Sequence, residues 1–166
     1  KGFTTQALRA LLHLHRFGVV HRDIKLENLL LSAAGDTLKL IDFGLGARTD
    51  ELMCSTICGS PEYMAPELVA AIGADGLAKK IRYSGKPVDI WALGILLYGL
   101  IMGGRFPFSS STMKGIFHNI RLGRFDLPPS ASPPCRALLK AMLEREPSGR
   151  LAIQDVLAHE FLRQKA

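Results

Sequence analysis

The chain has 166 residues, 48% of them hydrophobic and 22% charged, which suits one domain of ordinary size with a real core and excludes wholesale disorder. The net charge of +6 permits an anionic partner, but no block of basic residues and no basic stretch interleaved with aromatics marks a nucleic-acid surface, so none is expected. Three cysteines, an odd number in a chain that is not disulfide-dense, point to a reducing, intracellular compartment, cytoplasmic or nuclear. Cys54 and Cys58 lack a second Cys/His pair at metal spacing, so a zinc site is not expected.

The elements follow in chain order. Thr4 to Phe17 carries Leu8, Leu11, Leu12 and Leu14 at a helical period, and Gly18 stops it. Val19 and Val20 form a short β-type run. Leu29 to Leu31 and Leu38 to Ile41 flank Ser32 to Asp36, which reads as a β-hairpin. Residues 44 to 64 show no sustained period and predict a long irregular loop, a kind of segment that often carries function. Glu67 to Ile72 predicts a short helix, and Gly73 to Pro87 a loop rich in glycine and lysine. Val88 to Met102 is a hydrophobic helix. Its apolar run is too short to cross a bilayer and predicts a buried core element rather than a membrane anchor. Met113 to Leu122, Cys135 to Leu143 and Ile153 to Phe161 predict three further helices. The chain begins without methionine, inside a predicted helix, and is therefore expected to be part of a longer protein.

Three local patterns carry chemistry. They are His21-Arg22-Asp23-Ile24-Lys25-Leu26-Glu27-Asn28, then Asp42-Phe43-Gly44, then Ala65-Pro66-Glu67. In this order and spacing they resemble the eukaryotic-type serine/threonine protein kinases, and the likeness runs from Thr4 to Phe161. Within that family the chain is similar to the C-terminal lobe of the catalytic domain, in the calcium/calmodulin-dependent and AMP-activated branch. The resemblance implies a mainly α-helical bundle over residues 1–166 with a small β-hairpin at the cleft. It also implies an activation and substrate-docking segment over residues 44–67.

The implied function is transfer of the γ-phosphate of ATP to Ser/Thr hydroxyls of protein substrates, with Mg²⁺. This chemistry asks a protein for positioning and charge neutralisation rather than covalent help. The resemblance makes Asp23 the base that orients the acceptor hydroxyl and Lys25 the cation at the transferring phosphate. Asn28 and Asp42 become the Mg²⁺ ligands, oxygen donors suited to a hard cation. Leu30 would lie beneath adenine, and Lys25, Glu27, Asn28, Leu30 and Asp42 together would face the nucleotide and its metal. Glu27 would also meet an arginine of the substrate, and Ser60 would dock the substrate peptide near Asp23 and Lys25. Thr56 is implied as the regulatory site of an upstream activating kinase, its phosphate pairing with Arg22. Glu67 with Arg150, and Asp89, are implied as structural braces.

The pattern departs from the family in coverage. No glycine-rich loop over the phosphates, β-strand lysine or partner glutamate is present in the 166 residues. Little kinase activity and weak ATP binding are therefore expected of this chain by itself. Two function classes stay open: part of an active kinase, or a kinase-derived module that docks partners without catalysis. Residues 69–87 form a stretch longer than in most relatives, with Lys79, Lys80, Arg82 and Lys86. His13 and His15 face different sides of one helix and are read as structural.

Overall fold

A computed structural model of the chain describes residues 2–48, 54–73, 75–128 and 130–163. Part of the expected activation segment, residues 49–53, lies outside the described residues.

Helix α1 (Gly2–Arg16) buries Ala7, Leu8, Leu11 and His15 on one side. Gly18, at φ 67, takes the left-handed turn that an L side chain disfavours and so ends the helix. Strand β1 (Val19–Val20) follows. The hairpin is β2 (Leu29–Leu31) and β3 (Leu38–Leu40), antiparallel with Leu30 opposite Lys39. Gly35, at φ 72, supplies its turn. Strand β4 (Ala47–Arg48) returns to pair antiparallel with β1.

Helix α2 (Pro66–Ala70) starts on proline, tolerated where the first N–H has no helical partner. Helix α3 (Gly85–Ile101) is the axis of the fold. Twelve of its 17 residues are buried, so it is enclosed on all sides rather than amphipathic. One side faces a cluster with Leu8 and Leu11 of α1, Leu138 and Leu139, and Val156. The other faces a cluster with Leu68, Val69, Phe108 and Ile120. Gly94 lets the neighbouring chain come close: a Cβ there would meet Leu143 Cδ2 at 2.9 Å and Met142 Cβ at 3.1 Å.

Helices α4 (Met113–Leu122) and α5 (Pro133–Met142) carry hydroxyl caps, Thr112 accepting from the Gly115 N–H and Ser132 from the Cys135 N–H. Helices α6 (Ile153–Ala158) and α7 (Glu160–Arg163) complete the order. Among the described residues no helix is long and apolar enough to cross a membrane.

Four differences from the sequence reading have a local physical reason. The central helix begins at Gly85 rather than Val88, because Pro87 falls in its first turn, where proline loses no bond. Helix α5 begins at Pro133 rather than Cys135 for the same reason. The predicted helix 153–161 is two, because His159 is extended (φ −66, ψ 143) and its Nδ1 accepts from the Phe161 N–H instead. The predicted loop 73–87 is partly ordered, with Gly73 N–H on Leu77 O and Lys79 N–H on Ala71 O closing a turn.

Arg150 ties these elements together. Its guanidinium makes two bonds to the Glu67 carboxylate, at 2.9 and 3.0 Å, and donates to the carbonyls of Pro87 and Glu144. It also lies 5.1 Å from the centre of the Trp91 ring. The Arg150 side chain is fully buried, and that of Glu67 keeps 15% of its surface exposed. Glu67→Ala strands a buried cation and is expected to lower the unfolding free energy by about 3–5 kcal/mol in urea titration. A loss below about 1 kcal/mol would reduce the pair to the worth of a surface ion pair.

Candidate active site

Asp89 is completely buried, one turn into α3. Its Oδ1 accepts from the Arg22 N–H at 2.8 Å. Its Oδ2 accepts from the His21 N–H at 3.0 Å and bonds His15 Nε2 at 2.8 Å. One carboxylate thus fixes two consecutive peptides of loop 21–28 to the core helix. Arg22 accordingly adopts φ 66, a conformation that costs a non-glycine residue roughly 1–3 kcal/mol and persists only when neighbours enforce it.

The His21 ring spans the next gap. Its Nδ1 accepts from the Asp23 N–H at 3.3 Å, so the ring proton is on Nε2, which donates to Ile41 O at 3.0 Å. The Phe43 ring packs edge-on against the imidazole, centroids 5.1 Å apart.

Four functional groups converge beyond this loop. Lys25 Nζ lies 2.8 Å from Asp23 Oδ2 and donates to Ser60 Oγ at 3.2 Å. Ser60 Oγ donates to Asp23 Oδ1 at 3.2 Å. Asn28 Nδ2 donates to Asp23 O at 2.8 Å and to Asp23 Oδ2 at 3.2 Å. Burial pushes the Asp23 carboxyl up, but the bond and charge of Lys25, then the bonds from Ser60 and Asn28, outweigh it. The carboxyl therefore titrates below the usual aspartate value. The same bond, with the Asp23 charge, raises the Lys25 ammonium above its ordinary value.

The hairpin returns the chain to this place. The Ile41 N–H donates to Asn28 O at 2.9 Å, which sets Asp42 one residue from Asn28's backbone. Asp42 has φ 63, and its Oδ1 accepts from the Gly44 N–H at 3.1 Å. Because Asn28 spends its amide N–H groups on Asp23, its amide oxygen is left as an acceptor. These oxygens suit a hard cation that takes its remaining ligands from phosphate and water. Among the described residues no three His, Cys, Asp or Glu side chains form a metal cluster of their own.

Other predicted residues are placed differently. Glu27 and Leu30 are exposed at the rim, Leu30 by half. The Thr56 side chain is exposed, and its carbonyl accepts from Tyr83 Oη at 2.7 Å. Arg22 reaches the same hydroxyl, Nη1 to Oη 3.5 Å, while its Nε donates to Leu45 O at 2.7 Å. Burial first, then neighbouring thiol charge, pushes the Tyr83 phenol up to about 12, so it stays a hydrogen-bonding hydroxyl.

Tyr83 is a residue that the sequence reading missed. Tyr83 belongs to no motif and meets Thr56 across 27 positions. His15, read from the sequence as structural, bonds the buried Asp89 carboxylate.

A family profile described as a protein kinase domain matches residues 1–162. The chain is 38% identical over 161 residues to CBL-interacting protein kinase 29 of Oryza sativa subsp. japonica, covering 97% of this chain and 34% of that protein. It is 38% identical over 168 residues to serine/threonine-protein kinase STK11 of Homo sapiens, covering 99% and 36%. It is 37% identical over 161 residues to the mitosis inducer protein kinase cdr1 of Schizosaccharomyces pombe, covering 96% and 26%. The chain thus spans roughly a quarter to a third of these curated relatives.

A carboxyl held low in the folded state adds stability that is complete above about pH 4 and is lost as pH falls through its lower folded value. The stability difference between the natural chain and Asp23→Asn is therefore expected to shrink across that acid range in urea titrations. A difference independent of pH would leave Asp23 without an ionic role in the fold.

Proposed function

Because the chain belongs to the protein kinase domain family, we propose that it forms the C-terminal lobe of the catalytic domain and that the complete domain phosphorylates protein Ser/Thr hydroxyls with ATP. The observation that carries this reading is the convergence of Asp23, Lys25, Ser60 and Asn28 within hydrogen-bond reach. Ser60 is instructive: its hydroxyl donates to Asp23 and accepts from Lys25, the relation an incoming Ser/Thr hydroxyl would adopt.

In this reading Asp23 accepts the hydrogen bond of the acceptor hydroxyl and aims its oxygen, and the low pKa keeps the carboxylate ionised for that task. Lys25 supplies positive charge where charge accumulates on the transferred group. Asn28 and Asp42 would hold Mg²⁺, which when bound neutralises phosphate charge. Leu30, half-exposed on the hairpin, would meet the adenine. Glu27, exposed beside the cluster, would meet the nucleotide side of the cleft or a basic residue of the substrate.

Residues 44–67 would be the activation and docking segment. Thr56 would be its regulatory position, modified by an upstream kinase, with Arg22 as the partner of the added phosphate. The branch likeness to calcium/calmodulin-dependent and AMP-activated kinases fits the presence of STK11 and CBL-interacting kinases among the relatives. Cys54, Cys58 and Cys135 form no disulfide, which fits a reducing, intracellular compartment.

In the complete natural protein Asp23→Asn is expected to lower kcat for phosphopeptide formation by about 10²–10⁴-fold while the variant stays folded at the assay temperature, as circular dichroism would check. Full activity in that variant would remove the base role. Thr56→Ala is expected to abolish the rise in activity that follows treatment with an activating kinase. Undiminished activation would move the regulatory site elsewhere.

A further inference from the structure

A cavity of about 550 Å³ opens away from the Asp23 cluster, between the end of α1, the start of α3 and the chain entering α6. Its volume lies in the range of ordinary ligand sites. The apolar wall is Pro87 and Ile90 of α3 with Leu151 and Ile153 opposite. Its cations are Arg16, Lys86 and Arg150, and no aspartate or glutamate lines it.

Among the described residues the charges of Arg16 and Lys86 are not balanced. Arg150 is committed to Glu67, and His15, also in the wall, to Asp89. Arg16 and Lys86 are exposed, and neither makes an ion pair among the described residues. The segment leading to Lys86 adds the exposed side chains of Lys79, Lys80 and Arg82. Phe17, adjacent to Arg16, is 67% exposed, its ring tilted against that of His13 with centroids 4.7 Å apart. A single-sign field over an apolar floor selects for its complement. A small anion would leave the apolar wall wet, and a purely apolar chain would leave two cations unanswered.

We propose that this cavity docks an acidic segment of a partner protein, one that sets carboxylate side chains beside an aliphatic or aromatic residue. The carboxylates meet Arg16 and Lys86 at the rim, and the apolar side chain lies against Pro87, Ile90 and Leu151. The site is separate from phosphoryl transfer and does not rest on it. It touches the catalytic loop through one link, since the His15 in its wall is bonded to the carboxylate that holds His21 and Arg22.

The test is fluorescence anisotropy on the complete natural protein, with a fluorescein-labelled heptapeptide alternating glutamate and leucine. Saturable binding is expected, weakened at least about tenfold by the paired exchange Arg16→Glu with Lys86→Glu. Lys140→Glu, beside a different cavity, is expected to leave it unchanged. A peptide with serine for each leucine is expected to bind at least about tenfold more weakly, because it cannot use the apolar wall. Hydrogen exchange on the unaltered protein needs no variant: the peptide should slow exchange in residues 84–91 and 150–154. Equal binding by the paired variant, equal binding of the serine peptide, or protection confined to other segments would each overturn the proposal.

Discussion

The arrangement depends on one buried carboxylate. Asp89 is removed from water on a hydrophobic helix, a position that costs several kcal/mol unless every oxygen finds a donor. It finds three, two of them backbone N–H groups of the loop that bears Asp23. The desolvation cost is what makes the contact selective: a loop displaced by an ångström or two would leave the charge two donors short. Precision at the reacting groups is therefore inherited from the core rather than created at the surface, as functional sites require of the shell behind them.

The core is built to hold that position. Helix α3 is enclosed by two apolar clusters, one with α1 and α5, the other with α2 and α4. A helix packed on all sides has little freedom to roll, and Gly94 draws it against Leu143 and Met142. Arg150 then joins Glu67, seven residues after Ser60, to the carbonyl of Pro87 at the head of α3. The segment holding Ser60 and the loop holding Asp23 are thereby referred to the same helix.

Much of this was legible in the sequence, for reasons that differ by element. The helices were found because their apolar residues recur at a helical period, and the hairpin because two leucine-rich runs flank a glycine turn. The clustered residues Asp23, Lys25 and Asn28 sit within six positions, so local geometry dictates their meeting. Asp42 needed the hairpin, which the pattern also supplied. Tyr83 and the Asp89–His15 bond were not legible, because contacts across 27 and 74 positions leave no local period or spacing. Helix starts at Gly85 and Pro133 were hidden by proline, which reads as a breaker yet is harmless in a first turn. The break at His159 was hidden because Leu157 and Phe161 continue the apolar pattern across it.

His21 carries a mechanical consequence. Its ring is a strut of fixed length with one nitrogen on the Asp23 peptide and the other on the carbonyl just before Asp42. A ring cannot stretch, so the two carboxylate-bearing segments are geared to each other. If the chain at Ile41 moves, Nε2 loses its acceptor, and the ring that receives the Asp23 N–H is held from one side alone. Order in the two carboxylate-bearing segments is thereby linked through one imidazole.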